Sequence, residues 1–122
     1  EARILVVDDA LGSWNLLSSI LRTIAIAYLA ADGIQALNEA RKRQPHVILL
    51  DLGLPGGDGF VVLERLKSNQ LFSAIPVIVV TVQDPEVAEQ KAREYGAIAF
   101  LQKPVKADES IATIRGVLGK HA

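Results

Sequence analysis

Five side chains in this sequence could act on one small ligand: the adjacent carboxylates Asp8 and Asp9, the carboxylate Asp51, the hydroxyl of Thr81, and the ammonium of Lys103, which precedes Pro104. Taken singly, each has an ordinary reading. An aspartate after a strand often caps the next helix, a threonine there makes a turn, and a lysine is usually solvated. Taken together they form a chemical set. Three carboxylates in one cleft repel one another by about 4 kcal/mol per pair at roughly 4 Å with an effective dielectric near 20, so the arrangement calls for a cation. Oxygen ligands with no His or Cys nearby favour Mg²⁺ over zinc or copper, and Mg²⁺ commonly completes its octahedron with waters and a phosphate oxygen. With the metal and Lys103 neutralising phosphoryl oxygens and Thr81 donating to another, one carboxylate can attack phosphorus in line and form an aspartyl phosphate. Asp51 is the natural nucleophile because it stands alone, whereas Asp8 and Asp9 are suited to holding an ion between them.

What must position these groups is a βα rhythm running from one end to the other. Arg3 to Val7 reads as a buried strand, followed by Trp14, Leu17, Ile20, Leu21 and Ile24 at helical spacing with Ser13 as the expected N-cap. Ala25 to Ala30 predicts a weaker strand. Ile34, Leu37 and Ala40 mark the apolar side of a helix that Pro45 ends, and Glu39, Arg41, Lys42 and Arg43 its solvated side. Val47 to Leu50 predicts a third strand, then a glycine-rich loop at 53–59 leads to a helix with Phe60, Leu63 and Leu66 inward. Ile75 to Val80 predicts a fourth strand. Pro85 suits the first turn of a highly charged helix with a thin stripe of Val87, Ala88 and Ala92. Ala97 to Leu101 predicts a fifth strand, and Ile111, Ile114 and Leu118 line a last helix that Gly116 should weaken by about 1 kcal/mol relative to alanine. Strands buried on both faces and joined by helices imply a parallel sheet in a three-layer αβα sandwich. Ligands in such sheets sit outside the carboxyl ends of the strands, and every polar candidate lies on that rim.

Composition bounds the function. A chain of 122 residues fits one domain, residues 1–122, that buries about two-thirds of its unfolded surface. Half its residues are hydrophobic and its net charge is -1, with no basic patch to suggest direct nucleic-acid binding. The apolar runs fall short of the roughly 20 residues a membrane span requires, and no signal peptide opens the sequence. The absence of cysteine removes disulfides and thiolate chemistry and is compatible with a cytoplasmic location. There is no methionine, so Glu1 is not expected to be the natural start, and an output domain could lie outside this sequence.

The pattern closely resembles the receiver domain of two-component response regulators across essentially the whole chain. The residues that carry the likeness are Val-Val-Asp-Asp at 6–9, Leu-Leu-Asp-Leu-Gly-Leu-Pro-Gly-Gly-Asp-Gly at 49–59, Val-Val-Thr at 79–81 and Phe-Leu-Gln-Lys-Pro at 100–104. The resemblance implies a flavodoxin-like sheet of order 2-1-3-4-5, phosphoryl transfer onto Asp51 from a histidine kinase or histidine phosphotransfer protein, and a downstream effector. It implies that Asp9 holds Mg²⁺ directly, Asp8 through a water, and Asp51 and the Gly53 carbonyl complete the protein's share. It further implies that Lys103 pairs with the phosphoryl group beside a cis bond to Pro104. Thr81 and Phe100 would be a switch pair that alters the surface around helix four, strand five and helix five. A homodimer through that surface is left open.

Three positions bear on how the family's chemistry would run here, and one of them departs from its commonest form. Val82 follows Thr81 where a small residue is usual, which should narrow access for a phosphodonor. Gly53 and Gln83 stand where the family tunes water access to the acyl phosphate, and a glycine there predicts a short-lived phosphoryl state. The enzymatic rival, an aspartyl-phosphate hydrolase of haloacid dehalogenase type, should show a second Asp at position 53. A second rival is a pseudo-receiver, a binding module of this fold that is never phosphorylated, which Val82 keeps in play. Flavin or P-loop binding lacks the Lys-Ser/Thr pair after the glycines. Asp58 is expected to cap helix three, Trp14 to join the core, and His46 and His121 to lie away from the site.

Overall fold

The computed structural model describes residues 1–54 and 59–121. Ten elements alternate along them: β1 (Arg3–Val7), α1 (Leu11–Leu21), β2 (Ile26–Ala30), α2 (Gly33–Arg43), β3 (Val47–Leu50), α3 (Gly59–Ser68), β4 (Val77–Thr81), α4 (Pro85–Glu94), β5 (Ala99–Gln102) and α5 (Ala107–His121). The strands pair in the order β2-β1-β3-β4-β5, every pair parallel. This is the flavodoxin-like order expected. The strand order reverses between β1 and β3, so the carboxyl ends of those two strands open the crevice in which such sheets hold ligands.

Alternation along each strand divides the core in two. Leu5, Val7, Ile48, Leu50, Val77 and Val79 face α2, α3 and α4, where Ala36, Ala40, Leu63, Leu66, Ala88 and Ala92 meet them. Ile4, Val6, Val47, Leu49, Ile78 and Val80 face α1 and α5, closed by Leu17, Leu21, Ile114 and Val117. Side chains burying both faces explain why the central strands read as continuous apolar runs rather than alternating ones. Trp14 is only half-buried, packed on the margin of the second cluster.

Helix ends and faces correct several expectations. The N-cap of α1 is Ala10, three residues ahead of Ser13, because the Ala10 amide is already turned back onto the Asp8 carboxylate and the chain enters the helix at once. Ile34 and Val87 point outward, at 73% and 77% exposure. In α2 and α4 the sheet is met instead by the alanine pairs 36/40 and 88/92, whose i,i+4 spacing and small size let the helix backbones lie close. β4 begins at Val77, after Pro76, and β5 at Ala99, each two residues later than the apolar runs suggested. Gln44 closes α2 in the left-handed region just before Pro45, and Pro85 follows the Asp84 N-cap, as Pro suits the first turn. The expected Asp58 cap and the loop residues Pro55, Gly56 and Gly57 lie outside the described residues.

Candidate phosphoacceptor site

Each candidate is fixed by the backbone ladder continuing one step past its strand. The Asp8 amide donates to Ala30 O at 2.9 Å, the Asp51 amide to Val7 O at 2.9 Å, and the Lys103 amide to Thr81 O at 2.7 Å. Main-chain pairing thus sets where these side chains leave the sheet, with Lys103 held against the end of β4 just beyond β5. The peptide bond from Lys103 to Pro104 is cis.

The side chains converge. Ligand atoms of Asp8, Asp9 and Asp51 all lie within 4.8 Å of one another. Asp8 is almost completely buried, Asp51 is 9% exposed and Asp9 is open to solvent. Lys103 Nζ stands against the first two, 2.7 Å from Asp8 Oδ2 and 3.0 Å from Asp51 Oδ2. The second oxygens are also occupied: Asp8 Oδ1 accepts from the Ala10 amide and Asp51 Oδ1 from the Gly53 amide, both at 2.9 Å. Burial lowers the lysine's pKa, but its hydrogen bonds to Asp8 and Asp51 and the charges of both carboxylates outweigh that and hold it above the ordinary lysine value. The ammonium therefore stays protonated and serves as a donor and counter-charge.

Thr81, buried at the end of β4, belongs to the same rim. Phe100 is half-buried against the α2, α3 and α4 side of the core. Gly53 offers a specific opening: a Cβ there would lie 3.5 Å from Asp51 Oδ1, an ordinary contact, so any side chain at 53 would overlook that carboxylate. Gly59 is the opposite case. A Cβ would come within 2.4 Å of Leu52 Cα and 2.7 Å of Asp51 O, so only glycine lets α3 start this close to the Asp51 backbone. Val82 is 71% exposed and walls an apolar groove beside Lys103, together with Leu16, Pro104 and Val105. His46 lies at the far end of the sheet, its Nδ1 accepting from the Arg3 amide at 2.9 Å, a structural role.

One member of the site was read otherwise from the sequence. Ser13 Oγ lies 2.9 Å from Lys103 Nζ. The signal was its spacing: Ser13 stands four residues before buried Leu17 and eight before buried Leu21, so a hydroxyl occupies the inward stripe of α1 over the strand ends.

The acidic cluster fits a hard divalent cation, since its donors are all oxygen and a protonated lysine already balances part of its charge. Residues 4–115 match the family model for the response regulator receiver domain. The chain belongs to that family. Among its relatives, Protein PilH of Pseudomonas aeruginosa is 36% identical over 118 residues, covering 96% of this chain and 98% of that protein. The DNA-binding response regulator MtrA of Mycobacterium tuberculosis is 34% identical over 120 residues, 98% of this chain but 51% of that protein, so the receiver domain spans about half the length of such relatives. Among solved structures, a response regulator from Chloroflexus aurantiacus superposes with a TM-score of 0.91 at 28% identity, covering 97% of this chain and 98% of that one. The receiver domain of a Pseudomonas aeruginosa sensor histidine kinase, with a magnesium ion coordinated in its active-site cleft, gives 0.87 at 26% identity, over 97% and 98% of the two chains. This receiver domain of two-component systems carries the Asp8, Asp9 and Asp51 pocket and Lys103 typical of phosphoacceptor receivers. Among the described residues, no helix is long and apolar enough to cross a membrane.

Proposed function

We propose that the protein is a phosphorylation-dependent switch that takes a phosphoryl group from a phosphohistidine donor onto Asp51. The single observation that carries this reading is Asp51 itself: a nearly buried carboxylate within ligand distance of Asp8 and Asp9, with Lys103 Nζ 3.0 Å away. Asp51 Oδ1 is held by the Gly53 amide, which leaves Oδ2 on the Lys103 side of the cleft. One carboxylate oxygen forms the new P–O bond as the P–N bond of the donor breaks, and the electron pair leaves with the imidazole nitrogen. Lys103 then donates to a phosphoryl oxygen in place of a carboxylate oxygen, and the Thr81 hydroxyl donates to another.

Asp8, Asp9, Asp51 and the Gly53 carbonyl would hold Mg²⁺, which when bound offsets the charge gathered on the phosphoryl oxygens. Thr81 and Phe100 act as the switch pair: the hydroxyl moves toward the phosphoryl group and the ring turns inward, changing the surface of α4, β5 and α5. A histidine kinase or histidine phosphotransfer protein supplies the phosphoryl group in the cytoplasm, and an effector domain or downstream protein reads the changed surface. Residues 1–122 form one receiver unit in this reading, which assists its own phosphorylation and dephosphorylation and turns over no separate substrate.

Incubating the protein with Mg²⁺ and phosphoramidate, beside an Asp51→Asn control, and recording intact mass within minutes tests the reading. A gain of one phosphoryl group that the control lacks is expected. No gain, with Trp14 fluorescence unmoved by beryllofluoride, would instead make the domain a pseudo-receiver.

A further inference from the structure

The Lys103 ammonium has three protons and three acceptors within reach: Asp8 Oδ2 at 2.7 Å, Ser13 Oγ at 2.9 Å and Asp51 Oδ2 at 3.0 Å. Two of these acceptors are carboxylates of the acidic cluster, and the third is a neutral hydroxyl. A divalent cation drawn into the cluster repels the ammonium and competes for the lone pairs of Asp8 and Asp51. The hydroxyl is neutral and a weaker ligand for a hard cation than either carboxylate, so it is the contact that best survives that competition. The geometry is specific to this position. Ser18 and Ser68 turn their hydroxyls back onto carbonyls three residues earlier, of Asn15 and Arg65, whereas the Ser13 hydroxyl is directed across the cleft to a residue 90 positions away.

From this we infer that Ser13 is a positioning residue for phosphoryl transfer, holding Lys103 Nζ at the α1 side of the cleft while the carboxylates are engaged elsewhere. The inference rests on Asp51 being the phosphoacceptor. A lysine side chain has several rotatable bonds, and a charge-assisted hydrogen bond removes much of that freedom before the donor arrives. The hydroxyl touches neither the acceptor nor the reacting phosphorus, so its effect falls on the rate at saturating donor and not on donor binding.

The test uses Ser13→Ala, Ser13→Thr and Ser13→Val, with Mg²⁺ and phosphoramidate as probes. Threonine and valine have nearly the same shape, and only threonine keeps the hydroxyl. The maximal rate of phosphorylation should fall about tenfold in the alanine and valine variants, with KM for phosphoramidate changed less than about twofold, and the threonine variant should recover most of it. A second readout needs no turnover: the Lys103 ammonium resonance in ¹H–¹⁵N spectra of the Mg²⁺-loaded protein should be resolved in the native and threonine proteins and exchange-broadened in the other two. Native behaviour of Ser13→Ala in both measurements, or a threonine variant no better than valine, would overturn the inference and leave the phosphoacceptor reading intact. Failure of the native protein to be phosphorylated on Asp51 would overturn both.

Discussion

Lys103 Nζ sits 2.7 Å from Asp8 Oδ2, although 95 residues separate the two in the chain. The ammonium is thus the cleft's own cation, and any divalent ion entering among Asp8, Asp9 and Asp51 meets it as a competitor. Lys103→Met removes the competitor and keeps most of the stem. Mg²⁺ should bind the variant about three- to tenfold more tightly, equivalent to about 1 kcal/mol. On the proposed mechanism phosphorylation should nevertheless slow at least tenfold, because the variant offers the phosphoryl oxygens no donor at that position. Titration calorimetry and the mass assay separate the two effects, and an unchanged Mg²⁺ affinity would sink the competition account.

The same ion pair predicts a pH dependence. The pKa of Lys103 is raised by the fold, so its contribution to stability is complete below the unfolded-state value of about 10.4 and is lost as pH rises through the folded value. Lys67 has the opposite sign. Its ammonium is partly buried, donating to Ser73 O and Ile75 O, and burial lowers its pKa. Its cost is felt at neutral pH and is relieved as pH climbs from the lowered value to the unfolded one. Urea midpoints in metal-free buffer on the alkaline side should therefore show the native advantage over Lys103→Met shrinking above about pH 10. A gap that stays constant through that range would contradict the ion pair's role in stability.

Position 53 overlooks the Asp51 carboxylate. Because a Cβ there meets Asp51 Oδ1 at 3.5 Å without a clash, Gly53→Arg should fold normally and screen the acyl phosphate from water. The phosphoryl group should persist several-fold longer, read as the decay of the phosphorylated mass after donor removal. An unchanged decay would refute the assignment of Gly53 to water access.

Val82 stands on the groove wall beside Lys103 and is largely exposed, so trimming it costs the core nothing. Val82→Ala should change stability by less than about 0.5 kcal/mol, as exposed substitutions usually do. Phosphorylation by phosphoramidate should rise about two- to fivefold if the side chain obstructs the donor, and equal rates would remove Val82 as a gate.

Gly59→Ala should be the costly change. Its methyl group would displace Leu52 and the Asp51 carbonyl, and overpacking against backbone typically costs about 1–3 kcal/mol. The urea midpoint should fall accordingly, and the Gly59 amide bond to Leu52 O should lose its protection from hydrogen exchange. A midpoint equal to that of the native protein would show that α3 can shift without cost.

The central strands were legible because both faces of the sheet are buried there, which leaves runs such as Val47–Leu50 with no polar alternation. That Asp8, Asp9, Asp51 and Lys103 meet was legible for a related reason: parallel strands deliver their carboxyl ends to one rim, so polar residues at those ends come together. Ile34 and Val87 were misread because a helix packed through alanines carries little hydrophobic contrast, and a large apolar residue on the solvent side then looks like the buried face. The role of Ser13 depends on a partner 90 residues away, which local spacing cannot supply. Its place on the Leu17 and Leu21 stripe was visible, but a serine near a helix start also looks like a cap.

The sheet also acts as a bulkhead. Leu21 and Leu63 belong to clusters on opposite sides of it, so substitutions in one compartment leave the other's packing undisturbed, and energetic effects across the partition should add. Pairs of substitutions split between the two compartments should combine without coupling. The rim is where the two compartments meet, because Ser13 reaches it from one and Gly59 abuts the Asp51 backbone from the other.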